Sequence, residues 1–266
     1  FGRLRMRWRQ HPKRVLDLSK QRFGPEDVFH ITDQEQAHLI PPRSARRPKM
    51  VVTVHDVFHL FPSSQRIALT DGKTTVGTSV VHVGDQRPGM IRKRDLKKLK
   101  AGLARADLLV CDSEHTRLRC NEAFPNVPSI CVPLGLDVEA FAPSAGREKN
   151  AAFTMLFVGS ADPRKRLSFL GRVLRTCSDD VLGQSVLHVV GDRSPEAHAM
   201  ASSLGMEVVV HPLLDDVDLM ALRHGADVLL FPSAAEGYGY PPVEAMAAGC
   251  PVSVSYTHLR AHETFH

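Results

Sequence analysis

The chain has 266 residues, with 43% hydrophobic and 24% charged side chains and a formal net charge of +5. This length and composition are typical of a globular protein with one or two domains. No apolar run approaches the roughly 18 residues of a membrane-spanning helix, and the N-terminal residues lack the apolar stretch of a secretion signal. The five cysteines form no Cys-x-x-Cys pair and the fourteen histidines no His-Glu-x-x-His motif, so neither a disulfide framework nor a metal site is predicted.

The first half of the chain alternates short apolar runs with amphipathic stretches. Residues 3–22 are typical of a basic helix, and residues 91–106 predict an amphipathic helix with leucines on one face. Ser113 is well placed to cap a further helix. The polar, threonine-rich residues 63–84 have no assignable structure and are compatible with a mobile loop. Strands are predicted at 27–31, 50–54, 107–111 and 129–132.

A polar, linker-like segment at 142–150 separates this half from a second alternating series of strands and helices. Alternation at this spacing predicts a parallel sheet covered by helices on both faces. The fold class is therefore α/β. The predicted strands are 154–158, 186–190, 207–210 and 227–231, and the predicted helices are 166–177, 195–204 and 215–224.

The most informative stretch covers residues 226–252 and predicts a strand, a glycine loop, a short helix and the start of another strand. Gly237 and Gly239 allow the loop backbone to approach a ligand closely. Pro241 and the proline after it suit the first turn of a helix. Gly249 is a natural C-cap, and the proline that follows two positions later prevents the helix from continuing.

Two carboxylates accompany this loop, Glu236 on the loop itself and Glu244 within the helix. The unpaired N–H groups and the positive dipole end at a helix start attract an anion. Carboxylates also accept hydrogen bonds from neighbouring sugar hydroxyls. The pattern therefore suits a phosphate joined to a group rich in hydroxyls. The alternative is that both glutamates are solvated and the glycines only shape a turn.

The complete string resembles the donor-site signature of family 4 glycosyltransferases. That signature has two glutamates separated by seven residues, and the intervening residues include Gly-aromatic-Gly-x-Pro. The second glutamate begins the string Glu-Ala-Met-Ala-x-Gly-x-Pro-Val. Glu236 and Glu244 match the two glutamates. The resemblance implies the GT-B fold, in which two Rossmann-like domains each contain a parallel sheet. It also implies transfer of a sugar from a nucleotide diphosphate sugar, with retention at the anomeric carbon.

Four other segments resemble the same family. Residues 52–56 are similar to the family's strand that ends in His-Asp, and residues 105–116 are similar to its alanine-aspartate strand. Residues 132–137 are similar to its Gly-x-Asp turn, and residues 157–165 are similar to its phosphate-binding segment. The resemblance implies two domains. An acceptor-side domain is expected at 1–147 and a nucleotide-sugar-binding domain at 148–254.

The chain departs from the family pattern at both ends. The family's first strand and its glycine-rich loop have no counterpart before Asp27, and the pattern stops near Val254. Residues 255–266 are therefore interpreted as a non-native tail, and both domains as incomplete. The fragment itself is expected to transfer no sugar.

The resemblance assigns roles to individual residues. Glu236 would lie near the reactive carbon of the donor sugar, Glu244 at the ribose hydroxyls and Lys165 at the diphosphate, where a cation stabilises the leaving group. His55 would form a hydrogen bond near the transferred sugar, with a general-base role as the weaker alternative. The alternative interpretation of Lys165 is a solvated lysine in a turn. The alternative interpretation of His55 is a structural histidine at the end of a strand. The resemblance thus implies three catalytic residues, Glu236, Lys165 and His55, and as donor-binding residues Ser160, Arg164, Lys165, His211, Leu213, Glu236, Gly237, Tyr238, Gly239, Tyr240 and Glu244.

The expected partners are a UDP- or GDP-sugar donor, with mannose as a candidate sugar, and a glycan or lipid-linked acceptor, without a metal or other cofactor. Basic blocks at 1–22, 41–50 and 92–100 could face an anionic membrane. A cytoplasmic location, peripheral at the inner face of the cell membrane, is expected on this basis.

Two other classes of function are alternatives to sugar transfer. A basic α/β module that binds nucleic acid or membrane without catalysis would also explain the basic blocks. The sequence contains no recognition motif or aromatic ladder, so a nucleic-acid partner is not expected. A dinucleotide-binding oxidoreductase would need Gly-x-Gly-x-x-Gly after a strand, and that motif is absent.

Overall fold

The computed structural model describes residues 23–24, 26–43, 47–70, 75–143, 151–192, 194–211 and 213–255. The chain divides into two units. The first contains the described residues up to Ser63 together with Gly84–Leu134, and the second contains Ser64–Val83 and the described residues from Gly135 onward. Three features predicted from the sequence lie outside the described residues: the basic helix at 3–22, the domain boundary between 147 and 148, and the tail beyond residue 255.

The first part of the chain folds much as its hydrophobic pattern predicts, with strands close to the expected positions. Before residue 135 the elements are β1 (Val28–Ile31), a 3₁₀ helix (Gln34–Leu39), β2 (Lys49–Val54), β3 (Ser63–Thr70), β4 (Thr75–Val83), α1 (Met90–Leu103), β5 (Leu108–Cys111), α2 (Glu114–Ala123) and β6 (Ser129–Cys131). Four of these strands form a parallel sheet in the order β1-β2-β5-β6.

The core of the first unit lies between this sheet and its helices. Alternate residues of β2, namely Met50, Val52 and Val54, are buried, as expected for a strand with one face on a core. Helix α1 buries Leu96 and Leu99 on its predicted apolar face and packs against the 3₁₀ helix. Ser113 caps α2 as predicted, because its side chain accepts a hydrogen bond from the backbone N–H of Thr116 at 3.2 Å.

The segment at 63–84 differs from its sequence-based interpretation as a mobile loop. It forms the two strands β3 and β4, which make a separate two-stranded sheet. The Ser64 hydroxyl lies 2.9 Å from Nδ1 of His82 across this pair. Threonine and valine favour extended backbone, but the polar positions obscure the alternation that marks a strand. Strand β4 also contacts Pro163–Lys165 within the second unit.

The second unit is built from the alternating series predicted for the second half. Its elements after residue 135 are α3 (Val138–Phe141), β7 (Phe153–Val158), a 3₁₀ turn (Pro163–Lys165), α4 (Leu167–Leu174), α5 (Asp179–Gly183), β8 (Ser185–Val190), α6 (Pro195–Ser203), β9 (Glu207–His211), α7 (Asp216–Gly225), β10 (Val228–Phe231), α8 (Tyr240–Ala247) and β11 (Val252–Val254). Five parallel strands form one sheet in the order β11-β10-β7-β8-β9.

Apolar clusters cover both faces of this sheet, as the sequence predicted. On one face, Phe157 and Leu187 pack in a cluster with residues of α4 and α6. On the other, Leu156 and Leu229 pack in a cluster that includes Ala245 of α8. This arrangement confirms the predicted Rossmann-like architecture and brings the carboxyl ends of β7 and β10 to the same edge, where α/β sheets bind ligands. None of the described helices has the length and apolarity needed to cross a membrane.

Candidate functional site

The loop after β10 leads directly into helix α8, as the motif predicted. Gly239 occupies the N-cap position with φ of +88°, in the left-handed region that favours glycine. Pro241 and Pro242 occupy the first turn and carry no N–H. The backbone donors at this helix start are therefore those of Gly239 and Tyr240, because the N–H of Val243 already donates within the helix. They are available to an anion, since no side chain caps the helix.

The carboxylate of Glu236 lies at the centre of the candidate site. Its Oε1 is 2.7 Å from Nζ of Lys165 and also accepts a hydrogen bond from the Ser233 hydroxyl. Its Oε2 is 2.8 Å from Nη1 of Arg164. The side chains of Glu236 and Lys165 are both only 11% exposed. The structure therefore brings together three of the predicted residues and adds Ser233, which sequence reasoning missed.

Arg164 is held in place by several groups at once. Its Nη1 also donates to the Ala235 carbonyl at 2.9 Å, and its Nε lies 3.1 Å from Oδ2 of Asp162. Burial lowers the pKa of the Arg164 guanidinium, but the charges and hydrogen bonds of Glu236 and Asp162 outweigh burial and raise it above its ordinary value. This arginine is therefore a fixed positive charge beside the loop.

The second motif glutamate has a partner that the sequence did not reveal. Arg223 of α7 donates from Nη2 to Oε2 of Glu244. The Arg223 side chain is 6% exposed and that of Glu244 is 21% exposed. Burial lowers the pKa of the Arg223 guanidinium, partly offset by the carboxylates of Glu244 and Asp216. The sequence did contain one signal for Arg223. This cation follows the apolar Leu219 by four positions and the apolar Leu222 by one position on the same helix.

The other predicted donor-binding residues have diverse surroundings. Ser160 is exposed, and its hydroxyl lies 3.4 Å from the backbone N–H of Asp162. The rings of Tyr238 and Tyr240 meet edge to face with centroids 5.4 Å apart, and the Tyr240 hydroxyl donates to the Gly135 carbonyl at 3.2 Å. Leu213 is 82% exposed. The binding role of each of these residues stays a prediction.

His211, at the end of β9, pairs with another histidine. Its Nε2 lies 2.7 Å from Nδ1 of His188, and the two rings stack with centroids 5.0 Å apart. The pair borders a cavity of about 510 Å³ whose walls include Thr154, Leu214, Asp218 and Leu222. In the described part of the chain, the hydrogen-bond partner of the His211 ring is His188 rather than Glu236 or Glu244.

This histidine pair should make the stability of the second unit depend on pH. Burial lowers the pKa of both imidazoles below 6.5, and for His188 the proximity of His211 adds to the effect. The unfolded chain then binds more protons than the folded chain as the pH falls below about 6.5. We expect the free energy of unfolding contributed by the pair to be fully present above that pH and to decrease below it.

Urea denaturation of the wild type and of His188→Gln/His211→Gln between pH 8 and 5 measures this effect. The stability difference between the two proteins should change with pH, in favour of the variant as the pH falls. The exposed His59 provides a matched control, because His59→Gln leaves the pair intact. A constant difference between wild type and the double variant across this range would contradict the expectation.

His55 follows β2 in the first unit and is fixed by acceptors at both ring nitrogens. Its Nδ1 lies 2.5 Å from Oδ2 of the buried Asp112, and its Nε2 lies 3.0 Å from the Thr32 carbonyl. Burial lowers the pKa of His55, but the carboxylate of Asp112, the Thr32 carbonyl and the charge of Asp33 raise it above 6.5 overall. A protonated ring satisfies both acceptors, which argues against the weaker alternative of a general base.

The described residues contain no cluster of three or more His, Cys, Asp or Glu side chains arranged to hold a metal ion. Arg164 and Lys165 place positive charge beside the loop, and both pair with Glu236. Such an arrangement can hold a phosphate group and stabilise negative charge that develops on it.

Comparison with known proteins agrees with this geometry. Residues 140–264 match the family described as "Glycosyl transferases group 1". An MMP alpha-(1->4)-mannosyltransferase of Mycolicibacterium hassiacum is 35% identical over 128 residues, which cover 47% of this chain and 30% of that protein. The chain therefore spans about a third of the length of this curated relative.

Solved structures show the same fold. HepE of Anabaena, in complex with UDP-glucose, has a TM-score of 0.65 and 18% identity; the match covers 99% of this chain and 67% of that one. A sucrose-phosphate synthase from Thermosynechococcus elongatus has a TM-score of 0.62 and 21% identity, with 86% of this chain and 56% of that chain covered. These similarities confirm the GT-B fold class predicted from the sequence.

Proposed function

We propose that the intact protein transfers a sugar from a nucleotide diphosphate sugar to a glycan or a lipid-linked acceptor, because residues 140–264 match the glycosyl transferases group 1 family. The configuration at the anomeric carbon is retained in this proposal. The observation that carries it is the placement of Arg164, Lys165 and Glu236 beside the glycine loop that opens α8.

The chemistry follows from the charges at this edge of the sheet. When the bond between sugar and diphosphate breaks, negative charge grows on the leaving diphosphate. Arg164 and Lys165 are positioned to stabilise that charge more strongly in the transition state than in the ground state. We therefore propose that the reaction uses no metal or other cofactor, since these two side chains supply the positive charge.

The similar proteins support a nucleotide-sugar donor, for which we propose a UDP- or GDP-sugar, with mannose as one candidate sugar. The HepE structure contains UDP-glucose, and the Mycolicibacterium relative is named as a mannosyltransferase. In our proposal Glu244 binds the ribose hydroxyls and Glu236 contacts the sugar after the donor phosphates have engaged the two cations. His55, in the first unit, stays a predicted hydrogen-bonding residue, on the basis of the family resemblance.

Calorimetric titration of the 266-residue chain with UDP and with GDP tests this proposal. We expect one of the two nucleotides to bind, and Glu244→Ala to weaken that binding by about tenfold or more, the scale of a charge-assisted hydrogen bond. Glu207→Ala is the matched control, because Glu207 begins β9 outside the motif and is exposed. The absence of binding by either nucleotide, or equal losses in both variants, would overturn the donor-site assignment.

We also propose that the parent protein works at the cytoplasmic face of a membrane, with the basic face of α1 near anionic lipid. Lys93, Arg94, Lys97 and Lys98 are exposed on that helix, and each basic residue near the surface contributes about 1 kcal/mol to membrane binding. Two further basic residues of α1 are only partly exposed: Arg92 pairs with Glu35, and Lys100 lies over the Phe61 ring.

Sedimentation with vesicles that contain phosphatidylserine measures this interaction. Replacing the four exposed bases by glutamine should release the chain into the supernatant, whereas Arg92→Gln should have a smaller effect. Vesicles of phosphatidylcholine alone provide the uncharged control. Unchanged sedimentation of the fourfold variant would remove the membrane proposal, and stronger retention on DNA than on anionic vesicles would favour a nucleic-acid partner instead.

A further inference from the structure

A buried ion pair connects helix α7 to the donor motif. Arg223 projects from the last turn of α7 and donates from Nη2 to Oε2 of Glu244 on α8. The guanidinium carbon also lies 5.7 Å from the centroid of the Phe141 ring of α3. Three helices that are separated in the chain therefore meet around one guanidinium group.

The burial of Arg223 requires an explanation. A guanidinium that is 6% exposed loses most of its hydration, which is unfavourable unless a charged partner compensates. Glu244 is the carboxylate that meets it directly, and Asp216 contributes at longer range. A leucine or methionine at this position would fill the same space without that cost. The ion pair therefore does more than close the interface between α7 and α8.

The geometry divides the two oxygens of the Glu244 carboxylate between different tasks. Arg223 holds Oε2, whereas Oε1 has no hydrogen-bond partner among the described residues. The side chain as a whole is 21% exposed, so part of it remains accessible to a ligand. A carboxylate with one oxygen fixed has lost its rotational freedom and presents the other oxygen in a defined direction.

We infer that Arg223 is a positioning residue that orients Glu244 so that its free oxygen accepts hydrogen bonds from the ribose hydroxyls of the donor nucleotide. This inference rests on the proposed function, because it takes the nucleotide as the ligand of Glu244. It adds a specificity element outside the recognised motif, on a different helix and 21 positions earlier in the chain. It also accounts for a buried cation that the transfer chemistry does not use.

Ligands with and without the ribose hydroxyls separate positioning from a structural role. Wild type, Arg223→Met and Arg223→Lys are titrated with UDP and GDP and with their 2′,3′-dideoxy counterparts. Arg223→Met should weaken binding of the hydroxyl-bearing nucleotide on the order of tenfold, the scale of one charge-assisted hydrogen bond, and leave the dideoxy nucleotide unchanged. Arg223→Lys should restore part of the loss, because it keeps the charge.

The Glu244→Gln background provides a matched control and keeps the test valid if Arg223→Met alone folds poorly. Arg223→Met/Glu244→Gln removes both charges together, so no unpaired carboxylate remains. In this background the Arg223 substitution should have no further effect on the preference for ribose hydroxyls. If the preference for ribose hydroxyls still depended on Arg223 in the Glu244→Gln background, the inference would be overturned.

The remaining outcomes distinguish this inference from the proposed function. If wild type binds neither nucleotide, the proposed function fails and the inference fails with it. If wild type binds one nucleotide and its dideoxy form equally well, nucleotide binding stands and the inference is wrong. If Arg223→Met remained folded and lost affinity equally for the nucleotide and for its dideoxy form, Arg223 would have a structural role. That result would also overturn the inference.

Discussion

Glu236→Gln is expected to destabilise the second unit and, at the same time, to increase its affinity for UDP or GDP. In the ligand-free chain the Glu236 carboxylate pairs with both Arg164 and Lys165. A diphosphate must compete with that carboxylate for the same cations. Removing the negative charge should therefore strengthen diphosphate binding by about tenfold, the scale of one charge-assisted hydrogen bond. The stability loss should be about 2 kcal/mol, below the value for a fully buried pair because Arg164 is 20% exposed.

Chemical denaturation and calorimetry measure the two effects separately. Glu207→Gln is the control for the loss of one negative charge, and it should alter neither quantity appreciably. The free nucleotide is the informative ligand, because the proposed contact of Glu236 with the donor sugar is then absent. Weaker or unchanged binding of UDP and GDP by Glu236→Gln would show that this carboxylate does not compete with the diphosphate.

Gly102→Ala in helix α1 is expected to destabilise the first unit by about 3 kcal/mol. An exposed glycine in a helix normally gains about 1 kcal/mol when replaced by alanine. Here a Cβ at position 102 would lie 2.0 Å from the carbonyl oxygen of Ala37 and 2.5 Å from its carbon. These are backbone atoms of the 3₁₀ helix, so relief requires the two helices to separate and open a gap in the core.

Gly89→Ala is the matched control, since Gly89 precedes the same helix and a Cβ there would meet no atom within 4 Å. Its effect should remain within about 1 kcal/mol. Urea denaturation followed by circular dichroism provides both values. Equal stability of the two variants would mean that α1 does not pack against Ala37 as closely as the structure shows.

The candidate site was only partly predictable. Glu236 and Lys165 could be identified because a long local motif marks each of them, although 71 positions separate them. The family resemblance then implied that both serve the same donor. Ser233 lies within the stretch 226–252, but its contact with Glu236 three positions later was not expected. Arg223 belongs to no motif that we recognised, and its importance comes from its contact with Glu244, 21 positions later in the chain. His188 likewise gained significance only when the parallel register of β8 and β9 brought it beside His211.

The sequence by itself determined the order of strands and helices in most of the described chain. Apolar runs of four to six residues form the buried strands β7 and β10, and Pro and Gly mark the beginning and end of α8. These signals are local, so they can be read without knowledge of the fold. The exception is the pair of strands β3 and β4, whose polar composition hid their extended conformation.

The tertiary structure decided which charges neutralise one another. Nothing in the local sequence indicates that Arg223 meets Glu244, that Arg164 and Lys165 share Glu236, or that Asp112 accompanies His55. Electrostatic pairing depends on distances of a few ångströms between residues that lie far apart in the chain, and on how much water the fold excludes around them. Those two quantities exist only once the sheet and its helices have assembled.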